Sequence, residues 1–528
     1  MPGLTAIRVE AGFGTPFLDP AGNQVLDPAG NRILMPGFQH WADVLDDPIN
    51  IQRGSFDSSP TARVADTGVM QLTLDNSNRN SAHQVGLYSP DHPNRRVHFQ
   101  KGLDVQINLE RASGDYYKFR GRITEIDPEP GLLSRKVTYV TISDWMDIAA
   151  RTPLPRLAVQ AGVRDDQVIE TILAALDTPP AATNLDIGTE TYPYALTDGR
   201  DEDDKVAYPL QSLMLSSLGR LFLTGGPSGG EVLTYQTLST QSEGETPEAT
   251  LDNSFLDMDP RRQTAKRVKR VLATVYPMEQ DSAYVALASL AGSIPLDAGD
   301  SAEFTLYFRD TSGGGKNRVA ALDVQTSVID TDYKFSSVDG AGTDLNAYLS
   351  VEIFSPSGNS VKVRARNTHA SATGYLWFFQ ARGKGMYRND PLTYEAVDET
   401  ISEAEGSTLD YRMPYQAAYA TARDRANFLL EAYREDVTDL PSVDFNGGLS
   451  DTHMDYAVEI EPGHRVEILD SVTGIVAAYY IIGYKLTIRA LNDVAVSWSV
   501  VPASLLGLFC KLDVVGRAEL DSTAKLGF

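Results

Sequence analysis

Gly226-Pro227-Ser228-Gly229-Gly230 has the G-x-S-x-G form in which a serine can be presented as a nucleophile. That chemistry needs a sharp turn from a strand into a helix. Here both flanks, Leu221-Phe222-Leu223-Thr224 and Glu231-Val232-Leu233-Thr234-Tyr235, read as strands. Pro-Ser-Gly-Gly is therefore read as a hairpin turn, and no catalytic residue is assigned. The acidic loop Asp198-Gly199-Arg200-Asp201-Glu202-Asp203-Asp204 offers oxygen ligands for Ca²⁺. It lacks the ligand order and bidentate Glu of an EF-hand loop, and a solvated loop is the simpler reading. The histidines are His40, His83, His92, His98, His369, His453 and His464; none forms H-E-x-x-H. His83 and His92 are the pair that could meet in space. With Cys510 as the single cysteine, no structural zinc site and no cofactor are expected.

Two clusters point to binding. Arg261, Arg262, Lys266, Arg267, Lys269 and Arg270 form the only basic run in an acidic chain. They can contact DNA in a lumen, or pair with acidic surface on a neighbouring subunit, the more economical use. No aromatic residues interleave them, so they do not make a stacking platform for single strands. Tyr375, Trp377 and Phe379 alternate along a probable strand. If exposed, such a row stacks on sugars; if the strand is buried on both faces, it is core.

The elements that must hold these groups are mostly strands. One β pattern occurs twice. Lys101-Gly102 opens the first copy, followed by Leu103, Val105, Ile107 and Leu109 in strict alternation. Tyr116-Tyr117-Lys118-Phe119-Arg120-Gly121 comes next, then a strand ending at Trp145. The second copy opens at Pro462-Gly463 and runs through Arg465-Val466-Glu467-Ile468-Leu469 and Tyr479-Tyr480-Ile481-Ile482-Gly483 to Trp498. Between the copies, Val168, Ile169, Ile172, Leu173 and Leu176 follow helical spacing, with Asp165 and Asp166 placed to cap and Pro179-Pro180 to stop the helix. A second helix after Pro209 carries Leu210, Leu213, Met214 and Leu218 and ends at Gly219. A third is expected over 415–433.

The reading is a mainly β chain with α+β portions: two small antiparallel β-barrels, a small α+β domain and an inserted β-sandwich. The boundaries are 1–48 for an N-terminal β arm with twin Asp-Pro-Ala-Gly-Asn turns, 49–156 for the first barrel and 157–260 for the α+β domain. The second barrel is split, 261–280 and 391–503, around the sandwich at 281–390; a tail follows at 504–528.

Composition sets limits. At 528 residues the chain exceeds one ordinary core. A formal charge of −25 disfavours tight nucleic-acid binding but does not exclude weak, non-sticking contact with DNA passing through a pore. One cysteine excludes an intrachain disulfide. No signal segment is read at Met1-Pro2-Gly3-Leu4-Thr5, and the longest apolar stretch, 474–484, is too short for a membrane helix.

Leu72-Thr73-Leu74-Asp75-Asn76, Lys101-Gly102-Leu103-Asp104-Val105 and Phe119-Arg120-Gly121-Arg122-Ile123 resemble, in that order, the opening barrel of the tail hub (baseplate hub, minor tail tip) proteins of tailed bacteriophages. Gln380-Ala381-Arg382-Gly383-Lys384-Gly385-Met386-Tyr387, Glu461-Pro462-Gly463-His464-Arg465-Val466 and Ser522-Thr523-Ala524-Lys525-Leu526-Gly527-Phe528 are similar to later motifs of that family. Lys101 stands where a Pro is usual, and Ala524-Lys525 where Thr-Arg is usual. The resemblance implies a non-enzymatic virion protein, assembled in the host cytoplasm. It implies a homotrimer whose two barrels per chain adapt a sixfold tail tube to a threefold tip around a DNA exit channel. Expected partners are distal tail or tail tube proteins, a central fibre, tip or receptor-binding protein, and the tape measure protein. The alternatives are a glycan-binding receptor protein acting through the sandwich, and a hub-associated cell-wall hydrolase.

Overall fold

The computed structural model describes the chain apart from residues 1–2, 14, 17–33, 36, 132–133, 156, 198–204, 227–228, 244–245, 262–266, 309–316, 357, 436–439 and 504–528. The chain is mainly β, with short helices between sheets. The twin turns of the N-terminal arm and the acidic loop at 198–204 lie outside the described residues.

The duplication read from the sequence extends further than the motifs showed. The first copy has six strands: β1 (Ala6–Ala11), β2 (Ile49–Gly54), β3 (Asp66–Asp75), β4 (Asp104–Arg111), β5 (Gly114–Pro128) and β6 (Val137–Ser143). The second has β7 (Ala249–Asp252), β8 (Asp257–Met258), β9 (Ser442–Asn446), β10 (Arg465–Asp470), β11 (Ile475–Ala490) and β12 (Asp493–Pro502). Neighbours run β2-β3-β6-β5-β4-β1 in one and β8-β9-β12-β11-β10-β7 in the other. The two orders are the same. One difference is direction at the rim: β1 is antiparallel to β4, whereas β7 is parallel to β10.

Irregularities are copied as well. Gly102 N–H donates to the Ile123 carbonyl at 2.8 Å, and Ile123 N–H to Leu103 at 3.0 Å. Gly463 N–H donates to Ile481 at 2.8 Å, and Ile481 N–H to His464 at 2.9 Å. A register shift follows each isoleucine, between Ile123 and Glu125 and between Ile481 and Gly483. Such a bulge bends a long strand, so that its far half leaves the partner that held its near half.

The alternation of Val105, Ile107 and Leu109, and of Val466 and Ile468, turns these side chains into one apolar cluster shared by both copies. Each such fully buried side chain contributes roughly 1.5–3 kcal/mol. The expected barrels are not closed: among the described residues no sheet returns to its first strand. The reason is that β11 spends its far half on the other copy, pairing Gly483 with Gly54 through Ile488 with Ile49. With the short strand Gln39–His40, the copies thus form one thirteen-stranded sheet.

Val268–Val275, assigned by sequence to the second barrel, is not in this sheet. It pairs with Leu392–Val397 and Ser407–Met413, under the helix Tyr419–Tyr433. The α+β segment holds the helices Asp165–Ala174 and Ala207–Ser217 and the antiparallel pair Arg220–Thr224 and Val232–Gln236. Asp165 does not cap. Its carboxylate is buried, accepting from the hydroxyls of Tyr192 and Tyr235, and burial pushes it up to about 6. Leu218, not Gly219, takes the left-handed position after the second helix, at φ 62°. Gly219 is needed for room, since a Cβ there would lie 2.5 Å from the Tyr235 ring. In the inserted block, the sheet of Ser301–Tyr307, Ser360–Asn367 and Leu349–Pro356 shares one apolar cluster with strands grouped around Gly374–Arg388. No helix among the described residues is long and apolar enough to cross a membrane.

Candidate assembly site

The joint between the two copies is where backbone and charge chemistry concentrate. Gly54 has φ 95°, and a Cβ there would stand 2.3 Å from the Ile482 carbonyl oxygen. A Cβ on Gly483 would stand 2.5 Å from that of Ser55. Two glycines facing each other allow β2 and β11 to meet at the bend, which is what Gly does for a close backbone approach.

Beside this joint lies a buried charged cluster contributed by both copies and by the α+β segment. Arg53, on β2, donates to the Lys118 carbonyl at 2.9 Å and the Gly230 carbonyl at 2.7 Å. Its Nε lies 3.8 Å from Asp144, which caps the helix Trp145–Arg151 by accepting from Met146 N–H. Burial pushes Asp144 up to about 6, against the pull of Arg53. Lys118 Nζ donates to Glu461 Oε1 at 2.5 Å and the Ile460 carbonyl at 3.0 Å, and lies 4.7 Å from the Tyr484 ring centre. Tyr484 O–H donates to the Lys118 carbonyl at 3.1 Å. Burial pushes the Lys118 ammonium down, and Glu461 opposes it. Glu231 is pushed up to about 7 by burial, although Arg120 stands 3.8 Å away. The cluster can pin three parts of the chain to one geometry, because a buried charge tolerates no misplacement of its partner.

Sequence reasoning missed this cluster. Arg53 and Lys118 sit at strand positions that periodicity alone assigns to either face. The available signal was the pair of glycines, Gly54 beside Arg53 and Gly483 beside Tyr484.

The basic run is not brought together as a patch. Arg262 and Lys266 lie outside the described residues. Arg261 is exposed and pairs with Asp259. Arg267 Nε donates to the Arg434 carbonyl at 2.9 Å, Lys269 pairs with Glu403 at 3.0 Å and Arg270 with Glu395 at 3.0 Å. These three partners lie within the chain.

The aromatic row is broken. Register shifts between Lys334 and Phe335, which face Phe378 and Leu376, so Trp377 is the bulged residue. The bulge turns Phe379 to the core, fully buried and 5.5 Å from Phe304, while Tyr375 and Trp377 stay half-buried. Pro227 and Ser228 lie outside the described residues; their flanks are antiparallel strands, and the segment after them is the strand Val232–Gln236 rather than a helix. Among the described residues no group of three or more His, Cys, Asp or Glu side chains is placed to hold a metal.

No protein-family model matches the chain, and no curated protein matches it. Its neighbours among solved structures include tail proteins. It is similar to the tail protein from Neisseria meningitidis MC58 at 12% identity and a TM-score of 0.46, over 94% of this chain and 95% of that one. It is similar to the 43 kDa tail protein of prophage MuSo2 from Shewanella oneidensis at 9% identity and 0.44, over 89% and 97%. It is similar to prophage tail protein gp18 from Listeria monocytogenes EGD-e at 7% identity and 0.41, over 93% and 94%.

Proposed function

We propose that this chain is the structural hub of a phage tail tip or baseplate. Three copies form a ring, and their six modules stand in for the six barrels of a collar. The ring adapts a sixfold tail tube to a threefold tip and lines or gates the DNA exit channel. It works without catalysis. Its partners are distal tail or tail tube proteins above, fibre or tip proteins below, and the tape measure protein inside.

One observation carries this reading: a six-strand unit occurs twice with the same neighbour order and the same bulge, joined edge to edge by a contact that is not self-complementary. A heterologous joint of this kind repeats around an axis, and closes when the rotation allows. Three chains of two units give the sixfold-to-threefold match. The formal charge of −25 suits a channel that must not hold DNA.

Light scattering on the purified full-length chain should give three times the monomer mass, and negative-stain averages should show six lobes with threefold symmetry. A stable monomer, or a ring of other symmetry, overturns the reading.

A further inference from the structure

This inference rests on the trimeric reading and names the strands that join one chain to the next. Within the chain, the second copy hands the far half of β11 to β2 of the first copy. A ring of six units needs the counterpart joint, from the first copy of one chain to the second copy of the next. Its two halves are present. The far half of β5, from Thr124 to Pro128, pairs with β6 on one edge; among the described residues no strand pairs with its other edge. Among the described residues β8, the counterpart of β2, pairs with β9 and ends the sheet; Arg261 beyond it is already in a single β-bridge.

Register can be transferred between the joints. Ile126, Asp127 and Pro128 face Val140, Tyr139 and Thr138. Tyr484, Lys485 and Leu486 face Trp498, Ser497 and Val496. Counting from the matched bulges, Asp127 is the counterpart of Lys485. On the receiving side, Thr141 faces Gln71 and Ser499 faces Ser442, so Leu72 corresponds to Val443. Met258 faces Val443, and Asn50 faces Gln71, which places Ile49 opposite Leu72. Met258 is therefore the counterpart of Ile49, and Arg261 that of Gln52. Inside the chain Lys485 faces Gln52. Between chains the same register puts Asp127 opposite Arg261.

We propose that in the assembled ring the free edge of β5 pairs antiparallel with the 258–261 edge of the next copy of this chain, with Asp127 opposite Arg261. Charge supports this occupant. Glu125 and Asp127 are exposed on the donor strand, and the receiver opens the only basic run in the chain. Opposite charges facing each other across strands stabilise the pair. The present Arg261–Asp259 ion pair is exposed on both sides, so exchanging it costs little. Glu125 stands where the second copy has Gly483, and Pro128 faces Pro260 in this register. The joint between chains is thus shorter than the one within the chain.

Facing residues in an antiparallel pair lie within the Cα separation a disulfide needs. The test is the full-length Asp127→Cys/Arg261→Cys variant in a Cys510→Ser background, oxidised and run without reductant. Covalent dimers and trimers, absent from each single-cysteine control, support the joint. If light scattering shows trimers but no cross-link forms, this joint is wrong while the ring survives. If the protein is monomeric, both fail. A second pair of variants guards against a misfolded double cysteine. Asp127→Arg and Arg261→Asp should each weaken trimer association on the order of tenfold, and the two together should restore it. Two single reversals without effect overturn the proposal.

Discussion

Glu461→Gln should be among the most damaging single changes at the inter-module joint, and its pH dependence should identify the cause. The Lys118 ammonium is buried, with Glu461 as its counter-charge at 2.5 Å. Removing one partner of a buried pair costs about 3–5 kcal/mol, because the remaining charge keeps its desolvation penalty. A ceiling applies, since Lys118 can lose its proton instead. Deprotonating an ordinary lysine at pH 7 costs about 5 kcal/mol, from about 1.4 kcal/mol for each pH unit below about 10.4. In the variant the folded lysine binds its proton less tightly than the unfolded one. Burial already pushes Lys118 down in the parent, so stability rises with pH in both, more steeply in the variant, and the deficit should shrink by at most about 1.4 kcal/mol per unit between pH 7 and 9. The double variant Lys118→Met/Glu461→Leu, which removes both charges and keeps the volume, should recover most of the loss. A chain of several cores need not unfold in one step, so the readout is amide exchange on β2 and β11. A cost under about 0.5 kcal/mol, or a double variant no better than Glu461→Gln, would refute the assignment of the cluster as a lock.

Glu231 gives the opposite sign. Its folded carboxyl is raised to about 7, so between the ordinary carboxylate range and pH 7 the folded state holds the extra proton and stability falls as pH rises. Glu231→Gln should stabilise by up to about 3 kcal/mol at pH 8 and by nothing near pH 4, as read by urea titration at both pH values. Gly54→Ala should loosen the joint by at least about 1 kcal/mol, from its positive φ and the clash with the Ile482 carbonyl, seen as faster exchange confined to β2 and β11. Phe379→Ala should lower the thermal stability of the inserted block by about 3–5 kcal/mol, and Tyr375→Ala by under about 1 kcal/mol. Equal effects would contradict the bulge at Trp377.

The meanders β4-β5-β6 and β10-β11-β12 were legible because alternation and a leading glycine mark each of them; the tryptophans do not correspond, since Trp145 opens the helix after β6 whereas Trp498 lies within β12. The antiparallel strands flanking Ser228 and the helix before Tyr433 were legible for similar local reasons. The rest of the second copy was not. β7 and β8 are four and two residues long, too short for a period to show, and β9 follows β8 only after the whole inserted block. Val268–Val275 had the right strand character, but strand character does not name a partner, and its partners lie more than a hundred residues downstream. The aromatic row failed for another reason: one bulged residue shifts every later side chain to the other face.

The long interruption between β8 and β9 has a consequence for synthesis. β1 to β6 leave the ribosome early, with the outer rim of β2 bare, and that rim waits for β11 near the end of translation. An unpaired strand rim is a template for aggregation. Chains that stop short of Ile475 would carry it uncovered and should be found in inclusion bodies rather than as folded protein.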